Sequence, residues 1–155
     1  MKAAVITAPG NVAMLEVPDL PPTGEYQVKC RNLFFAACTG TDRKLIHNQV
    51  PWGAVSYPAV LGHESVGEVL EVGAGVRNFR PGDLVLRPVY GYAGTTVNGL
   101  GCEFGGFSEF GVVTDYRAMR EDGREDYSGY CRFQMKIPAA WRNFKESVLL
   151  ITMKE

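Results

Sequence analysis

The chain has 155 residues, of which 46% are apolar and 21% charged, and a formal net charge of −1. This length predicts about one domain with its own core, and the composition excludes a disordered chain and a small disulfide-stabilised protein. Because the charge is balanced and no block of like charges occurs, the sequence offers no basic face for nucleic acid.

The cysteines are widely spaced and form no CxxC pair, which argues against a four-cysteine zinc knuckle and a dense disulfide framework. They are Cys30, Cys38, Cys102 and Cys131. The apolar run at residues 3–6 is too short for a signal peptide. No stretch reaches the roughly 18 apolar residues that span a bilayer. We therefore expect a cytoplasmic protein with reduced thiols and no membrane anchor.

Short predicted strands, separated by glycine and proline, dominate the first 138 residues. In chain order they fall within residues 2–7, 13–17, 27–37, 67–73, 79–86, 105–114 and 132–138. Between them, residues 41–57 are interpreted as a loop with a short helix, and the polar segment 114–132 as a solvated loop. The pattern favours a β-barrel or a strongly bent sheet with little helix before residue 139.

Two of these strands carry more detailed predictions. The run 27–37 begins with alternation and becomes wholly apolar, which is typical of a strand that passes from the surface into the core. In 67–73, alternation places Val69 and Glu71 on one face of the strand and Leu70 and Val72 on the other.

Residues 139–155 have a different, helical pattern. Apolar residues recur at spacings of three, four and three, and further apolar residues lie outside that stripe. Since no glycine or asparagine caps its end, we expect a helix that continues into another domain. A terminal helix lying on the barrel is the alternative.

Three residues carry the types of side chain that zinc accepts. Cys38, His63 and Glu64 supply a thiolate, an imidazole and a carboxylate, and a site with two or three protein ligands keeps a position open for substrate. From residue types alone, a buried inert thiol and a hydrogen-bonded histidine are the alternatives.

Residues 57–85, YPAVLGHESVGEVLEVGAGVRNFRPGDLV, resemble the signature of the zinc-containing medium-chain alcohol dehydrogenases. That signature joins GHE, a glycine, a valine-rich strand, a VG turn and an F-x-x-GD-x-V strand. CTGTD at 38–42, GGFSEF at 105–110 and MKAAVI at 1–6 are also similar to family motifs. The resemblance implies an N-terminal, GroES-like β-barrel catalytic domain over residues 1–138. It also implies that residues 139–155 begin the helix toward a nicotinamide-binding Rossmann domain.

The resemblance also implies residue roles. Cys38 and His63 would bind the catalytic zinc, with Glu64 as a ligand or just behind the metal. Asp42 would hold the other nitrogen of His63. Thr41 would relay a proton from the substrate hydroxyl; because the motif has one residue more than usual before it, Thr39 is the alternative.

Further expectations concern residues around this set. His47 could assist proton traffic, the alternative being a solvated loop histidine, and Glu155 is a candidate for a further metal ligand. Gly62 and Gly67 are expected to let the backbone turn tightly around the site. A structural four-cysteine zinc site is not expected, since only Cys102 lies in the corresponding stretch.

No GxGxxG turn between a strand and a helix occurs in the sequence; GAGVRN and GLGCEFG are the nearest candidates. We therefore expect NAD or NADP to be bound outside these residues, and the chain alone to be inactive. The implied function is oxidation of a small-molecule alcohol or polyol to a carbonyl. The sequence leaves open whether the protein is a homo-oligomer. The alternatives are a zinc-free domain similar to quinone reductases and a non-enzymatic GroES-like binding module.

Overall fold

The computed structural model describes residues 1–51, 53–91, 95–102, 104–124 and 133–142. Two sheets form the framework of this part of the chain. Their strands are β1 (Lys2–Ala8), β2 (Asn11–Glu16), β3 (Gln27–Phe35), β4 (Ala59–Val60), β5 (Ser65–Val72), β6 (Leu84–Leu86), β7 (Thr95–Val97), β8 (Leu100–Cys102) and β9 (Phe110–Thr114). The helices are α1 (Thr41–Ile46), α2 (Tyr116–Glu121) and a 3-10 turn at Ala139–Trp141.

One sheet has the strand order β2-β1-β4-β8-β7 and the other the order β6-β5-β3-β9. The strand pairs are antiparallel except for β4 with β8. A single bridge from Ala3 of β1 to Ser108 links the first sheet to the segment before β9, and another from Val89 to Val112 links the segment after β6 to β9 within the second sheet. In the described part of the chain the two sheets do not form one continuous barrel. The predicted mainly β fold is confirmed. None of the helices in the described ranges has the length and apolar composition needed to cross a bilayer.

The core lies between the two sheets and along the inner face of the second one. One buried cluster contains Ala3, Val5 and Val60 from the first sheet and Val112 from the second. Another contains residues of β3, β5 and β9 together with the loop residue Phe79. Burial of these side chains, at about 25 cal/mol per Å² of apolar surface, holds the sheets together.

A β-bulge in β5 contradicts the predicted alternation in 67–73. Lys29 pairs with Glu71, but the next residue, Cys30, pairs with Val69, so Leu70 has no residue opposite it. Such an extra residue shifts every later side chain to the other face. Val69 and Val72 consequently contact the same buried cluster, and Leu70 is exposed.

The expected burial of residues 27–37 is reversed in the structure. Val28 and Cys30 are fully buried, whereas Leu33 and Phe35 are 42% and 49% exposed. The register of β3 with β5 shifts between Asn32 and Phe34, so Leu33 has no residue opposite it. Phe34 and Ala36 pack against a buried cluster, so only alternate residues of this end of β3 are covered.

Other predicted elements differ in smaller ways. The β7–β8 hairpin, which turns at Asn98–Gly99 with positive φ at both residues, was not predicted. Helix α2 replaces part of the loop expected at 114–132. In place of a strand at 132–138, the described residues form a single bridge from Lys136 to Val85. Of the helix predicted over 139–155, the described residues include only the 3-10 turn at Ala139–Trp141, and residues 143–155 lie outside the described ranges.

The loop 104–107 fixes the backbone before β5. The carbonyl of Gly62 accepts hydrogen bonds from the N–H groups of Gly105 at 2.8 Å and Gly106 at 2.7 Å. Gly62 has a φ of 96°, and a Cβ on it would overlap the ring of Phe107. Gly62 is therefore required by both its conformation and its surroundings, as expected of a tight turn.

Gly67 has a different role from the predicted turn. It lies within β5, where a Cβ would meet the side chain of Pro88 at 2.7 Å and the carbonyl of Arg31 at 3.1 Å. The absence of a side chain at Gly67 thus allows β5, β3 and the segment after β6 to pack closely.

A buried carboxylate, Asp115, joins the loop after β5 to α2. It accepts hydrogen bonds from the backbone N–H groups of Arg77 and Asn78, both at 2.8 Å, from the Asn78 amide at 2.9 Å, and from the N–H of Ala118 at 3.1 Å. Burial alone would raise the pKa of Asp115, but these hydrogen bonds together lower it below its usual value.

We predict that Asp115→Ala lowers the free energy of unfolding by about 3 kcal/mol, because several buried donors lose their charged acceptor. Since the folded pKa is depressed, the stabilisation is complete above the unfolded pKa of about 3.9 and is lost as the pH falls through the folded value. Urea unfolding between pH 7 and pH 2 measures both effects. The control, Glu121→Gln, changes an exposed carboxylate and is expected to cost less than about 0.5 kcal/mol. Equal losses in both variants would contradict the assignment.

We further predict that Gly62→Ala is more destabilising than Gly10→Ala. Both glycines have positive φ, but no atom lies within 4 Å of a Cβ at Gly10. The control thus bears only the conformational cost of about 1 kcal/mol, whereas the site variant must also displace Phe107, for a total of about 3 kcal/mol. Denaturant midpoints of the two variants test the difference, and equal midpoints would show that the Phe107 contact is unimportant.

Candidate functional site

The pairing of β3 with β5 determines where the candidate site lies. Phe35, the last residue of β3, is opposite Ser65, the first residue of β5, and the N–H of Ala36 donates to the carbonyl of Glu64 at 3.0 Å. The chain that leaves β3 therefore runs beside the chain that enters β5. Cys38 and His63 come together at this edge although they are remote in sequence.

Three potential ligand atoms converge there. One ligand atom each from Cys38, His63 and Glu64 lies within 4.8 Å of the others. The His63 Nε2 to Glu64 Oε1 distance is 3.5 Å, and these two side chains are 12% and 13% exposed. All three residues are partly buried, so the cluster is shielded yet reachable from the surface.

Asp42 connects two of these residues. It is 4% exposed in the first turn of α1, and its Oδ1 lies 2.9 Å from His63 Nδ1. Its Oδ2 accepts a hydrogen bond from the backbone N–H of Cys38 at 2.8 Å. As a carboxylate, Asp42 only accepts, so Nδ1 carries the proton of this hydrogen bond; in the neutral imidazole, Nε2 on the side of Glu64 is then the nitrogen with the lone pair.

Backbone N–H groups at the start of α1 donate hydrogen bonds to Cys38. The backbone N–H of Thr41 donates to Cys38 Sγ at 3.4 Å, and the N–H of Asp42 donates to the Cys38 carbonyl at 3.2 Å. Thr41 is partly buried, whereas Thr39 is exposed. Of the two threonines, Thr41 therefore has the demonstrated contact with the cluster.

The remaining predicted residues either lie apart from this cluster or fall outside the described residues. His47 is exposed and caps the C-terminal end of α1. Glu155 lies outside the described residues. Cys102 is fully buried, and burial raises the pKa of its thiol to about 11, as expected of an inert core cysteine. Cys131 also lies outside the described residues.

The donor set fits a zinc ion, and so does the separation of one of its ligand pairs. Zinc ligands at about 2.0–2.3 Å in a tetrahedron are about 3.3–3.8 Å from one another, which matches the distance between Nε2 and Oε1. A thiolate, an imidazole and a carboxylate leave the fourth position for a water molecule or a substrate oxygen. The arrangement is chemically suited to Lewis-acid catalysis.

The sequence analysis missed an aromatic neighbour. The ring of Phe104 lies 5.3 Å from the imidazole of His63, centroid to centroid, at an interplanar angle of 53°. Beside it, Phe107 and Phe35 stack at 4.8 Å. The only signal in the sequence was the phenylalanine on each side of the Gly105–Gly106 pair, and neither spacing nor periodicity linked that pair to His63.

Comparisons with known proteins agree with this fold and motif set. Residues 24–123 match the family model of the alcohol dehydrogenase GroES-like domain. The chain is 41% identical over 99 residues to acryloyl-coenzyme A reductase of Metallosphaera sedula, which covers 61% of the chain and 28% of that protein. It is 33% identical over 120 residues to cinnamyl alcohol dehydrogenase 2 of Rauvolfia serpentina, over 70% of the chain and 29% of that protein.

A solved structure extends the similarity to almost the whole chain. Alcohol dehydrogenase TADH from Thermus sp. ATN1 superposes with a TM-score of 0.63 and 24% identity, covering 99% of this chain and 44% of that one. The chain thus spans less than a third of the length of the curated relatives it matches. The matched domain model covers most of the chain, and the chain belongs to the medium-chain alcohol dehydrogenase family, as its GroES-like domain.

Proposed function

We propose that this chain is the catalytic-domain portion of a zinc-dependent alcohol or polyol dehydrogenase, which oxidises an alcohol to a carbonyl with NAD or NADP in the complete protein. The single observation that carries the proposal is the convergence of ligand atoms from Cys38, His63 and Glu64 within 4.8 Å of one another. The family membership supports it, since the relatives include a cinnamyl alcohol dehydrogenase.

In this proposal, Cys38, His63 and Glu64 hold the metal. A bound zinc ion would supply a Lewis acid that polarises the substrate oxygen. Asp42 keeps the proton of His63 on Nδ1 and thereby keeps Nε2 available as a ligand. Glu64 would either ligate the metal directly, alternating with water, or lie just behind it.

Proton transfer from the substrate is assigned to Thr41. Its backbone contact with Cys38 Sγ and its partial burial support this choice over Thr39, which is exposed. His47 remains a proposed surface acceptor further along the proton path, and Glu155 a proposed additional metal ligand.

The cofactor is proposed to come from elsewhere in the protein. No GxGxxG turn occurs in the sequence, and the matched relatives are much longer than the chain. We assign residues 1–138 to the catalytic domain and 139–155 to the start of a helix toward a nicotinamide-binding domain. A reducing cytoplasm is proposed because Cys30, Cys38 and Cys102 are free thiols. The proposed partner is a small-molecule alcohol or carbonyl, with homo-oligomerisation left open.

The zinc-free alternative, a domain similar to quinone reductases, shares the fold and differs at the site. A zinc-free domain does not require a cysteine, a histidine and a glutamate positioned to bind one ion. Metal content therefore distinguishes the two possibilities.

We predict that the purified chain binds about one equivalent of zinc and that Cys38→Ala and His63→Ala each abolish this stoichiometric binding, because two ligands hold zinc weakly. Metal analysis after dialysis measures the zinc content of each protein. Cys102→Ala is the matched control, since it removes a thiol that is buried outside the cluster, and it is expected to retain the metal. A wild-type chain without zinc after loading would favour the zinc-free alternative.

We also predict that Asp42→Asn lowers zinc affinity about 10- to 100-fold while the fold is retained. The amide can still accept one hydrogen bond but no longer fixes the tautomer of His63 by its charge. Competition with a chromophoric chelator measures the affinity, and circular dichroism checks the fold. Asp19→Asn, which changes an exposed carboxylate beside the N-terminus, is the control and is expected to leave zinc affinity unchanged. Equal zinc affinities in Asp42→Asn and the wild type would remove Asp42 from the site.

A further inference from the structure

The segment 105–108 lies beside the backbone that carries a candidate metal ligand. The N–H groups of its first two residues donate, at 2.8 and 2.7 Å, to the carbonyl of Gly62, which immediately precedes His63. A Cβ on Gly106 would meet the Oγ atom of Ser65 at 2.9 Å, so the segment also packs closely against the start of β5. A displacement of the segment would therefore move the backbone on the N-terminal side of His63.

Asn32, a residue of β3, holds the same segment through three hydrogen bonds. Its Nδ2 atom donates to the carbonyl of Gly106 at 3.2 Å and to that of Ser108 at 2.8 Å. Its backbone N–H donates to the carbonyl of Glu109 at 2.9 Å. Gly106 thus accepts from Asn32 through its carbonyl and donates to Gly62 through its N–H. Two successive hydrogen bonds, with one residue between them, connect the Asn32 amide to Gly62.

The Asn32 amide has a defined orientation and an energetic cost. Because carbonyl oxygens only accept hydrogen bonds, the atom that contacts Gly106 and Ser108 is Nδ2, which leaves Oδ1 on the other side of the amide. Oδ1 is buried and has no hydrogen-bond partner among the described residues. A buried acceptor without a partner costs free energy, which offsets part of what the two donated hydrogen bonds contribute. The amide therefore stabilises the fold less than two hydrogen bonds would suggest, and its clearer effect is on the position of segment 105–108.

We propose that Asn32 is a positioning residue, which acts through Gly106 and Gly62 to hold His63 where its Nε2 can bind the metal. Asp42 orients the imidazole ring through Nδ1, whereas Asn32 restrains the backbone from which the ring extends. This inference rests on the proposed function, since it needs a metal at the candidate site. Asn32 itself is assigned no contact with the metal or the substrate.

The experiment compares the 155-residue chain with Asn32→Leu, in which the new side chain is similar in size but donates no hydrogen bond. Competition with a chromophoric chelator measures zinc affinity. The affinity is expected to fall about tenfold, the lower end of the effect of groups that orient metal ligands, because Asn32 acts through the backbone. Each protein is also loaded with Co²⁺, whose visible absorption depends on the geometry of its ligands. The cobalt spectrum of the variant is expected to differ from that of the wild type.

Stability is measured in parallel, because a purely structural role would change stability without changing the metal site. Asn32→Leu removes the unpaired acceptor together with the two donated hydrogen bonds, so its urea midpoint is expected to fall less than that of Asp115→Ala. Asn32→Asp is a second variant, which keeps the size of the side chain and also removes the donated hydrogen bonds. It is expected to lower zinc affinity at least as much as Asn32→Leu.

Asn98→Asp is the matched control. The side-chain amide of Asn98 also donates to a backbone carbonyl, that of Asp19 at 3.0 Å, but Asn98 lies in the turn between β7 and β8. This variant is expected to leave both zinc affinity and the cobalt spectrum unchanged.

Lower zinc affinity and an altered cobalt spectrum in the Asn32 variants alone would support the proposal. Wild-type affinity and spectrum in a folded Asn32 variant would overturn the role of Asn32 and leave the metal site intact. An equal loss of affinity in Asn98→Asp, or failure of both Asn32 variants to fold, would show a general effect on stability and would also overturn that role. A wild-type chain that binds neither zinc nor cobalt would overturn the metal site, and this inference with it.

Discussion

The antiparallel pairing of β3 with β5 is the constraint on which the candidate site depends. The register opposes Phe35 and Ser65, so the segments just beyond these residues leave the sheet at the same edge. A shift of this register by one residue would turn the side chains of one strand to the other face and separate the candidate ligands. The packing of Val28, Cys30 and Val69, which are almost completely buried, opposes such a shift. The buried interior of the second sheet therefore also determines the geometry at its edge.

Asp42 is a second constraint on the geometry of the candidate site. A carboxylate in the first turn of α1 reaches one candidate ligand through its side chain and another through its backbone. The short helix, which has little stability of its own, is thereby tied to the sheet edge. Its position and the orientation of the imidazole are consequently coupled, and disturbing either one disturbs the other.

Much of the architecture could be predicted because it depends on local patterns. Glycine and proline between short apolar runs indicated the strands, and GHE beside a valine-rich strand indicated the family. The bulge at Leu70 could not be predicted, because alternation continues through it in the sequence. The exposure of Leu33 coincides with a second register shift, between Asn32 and Phe34, which the apolar run of β3 does not reveal. The Asn98–Gly99 turn had a recognisable signal, but the flanking strands are only three residues long.

The close approach of Phe107 to Gly62 links two positions that are far apart in the chain. The ring occupies the space where a side chain at position 62 would lie. A larger residue at 62 thus becomes sterically acceptable only in a sequence that has already lost the aromatic ring at 107, and the left-handed backbone would then still favour asparagine or aspartate. Among homologous sequences, positions 62 and 107 are therefore expected to change together. The steric contact between them should be detectable as covariation.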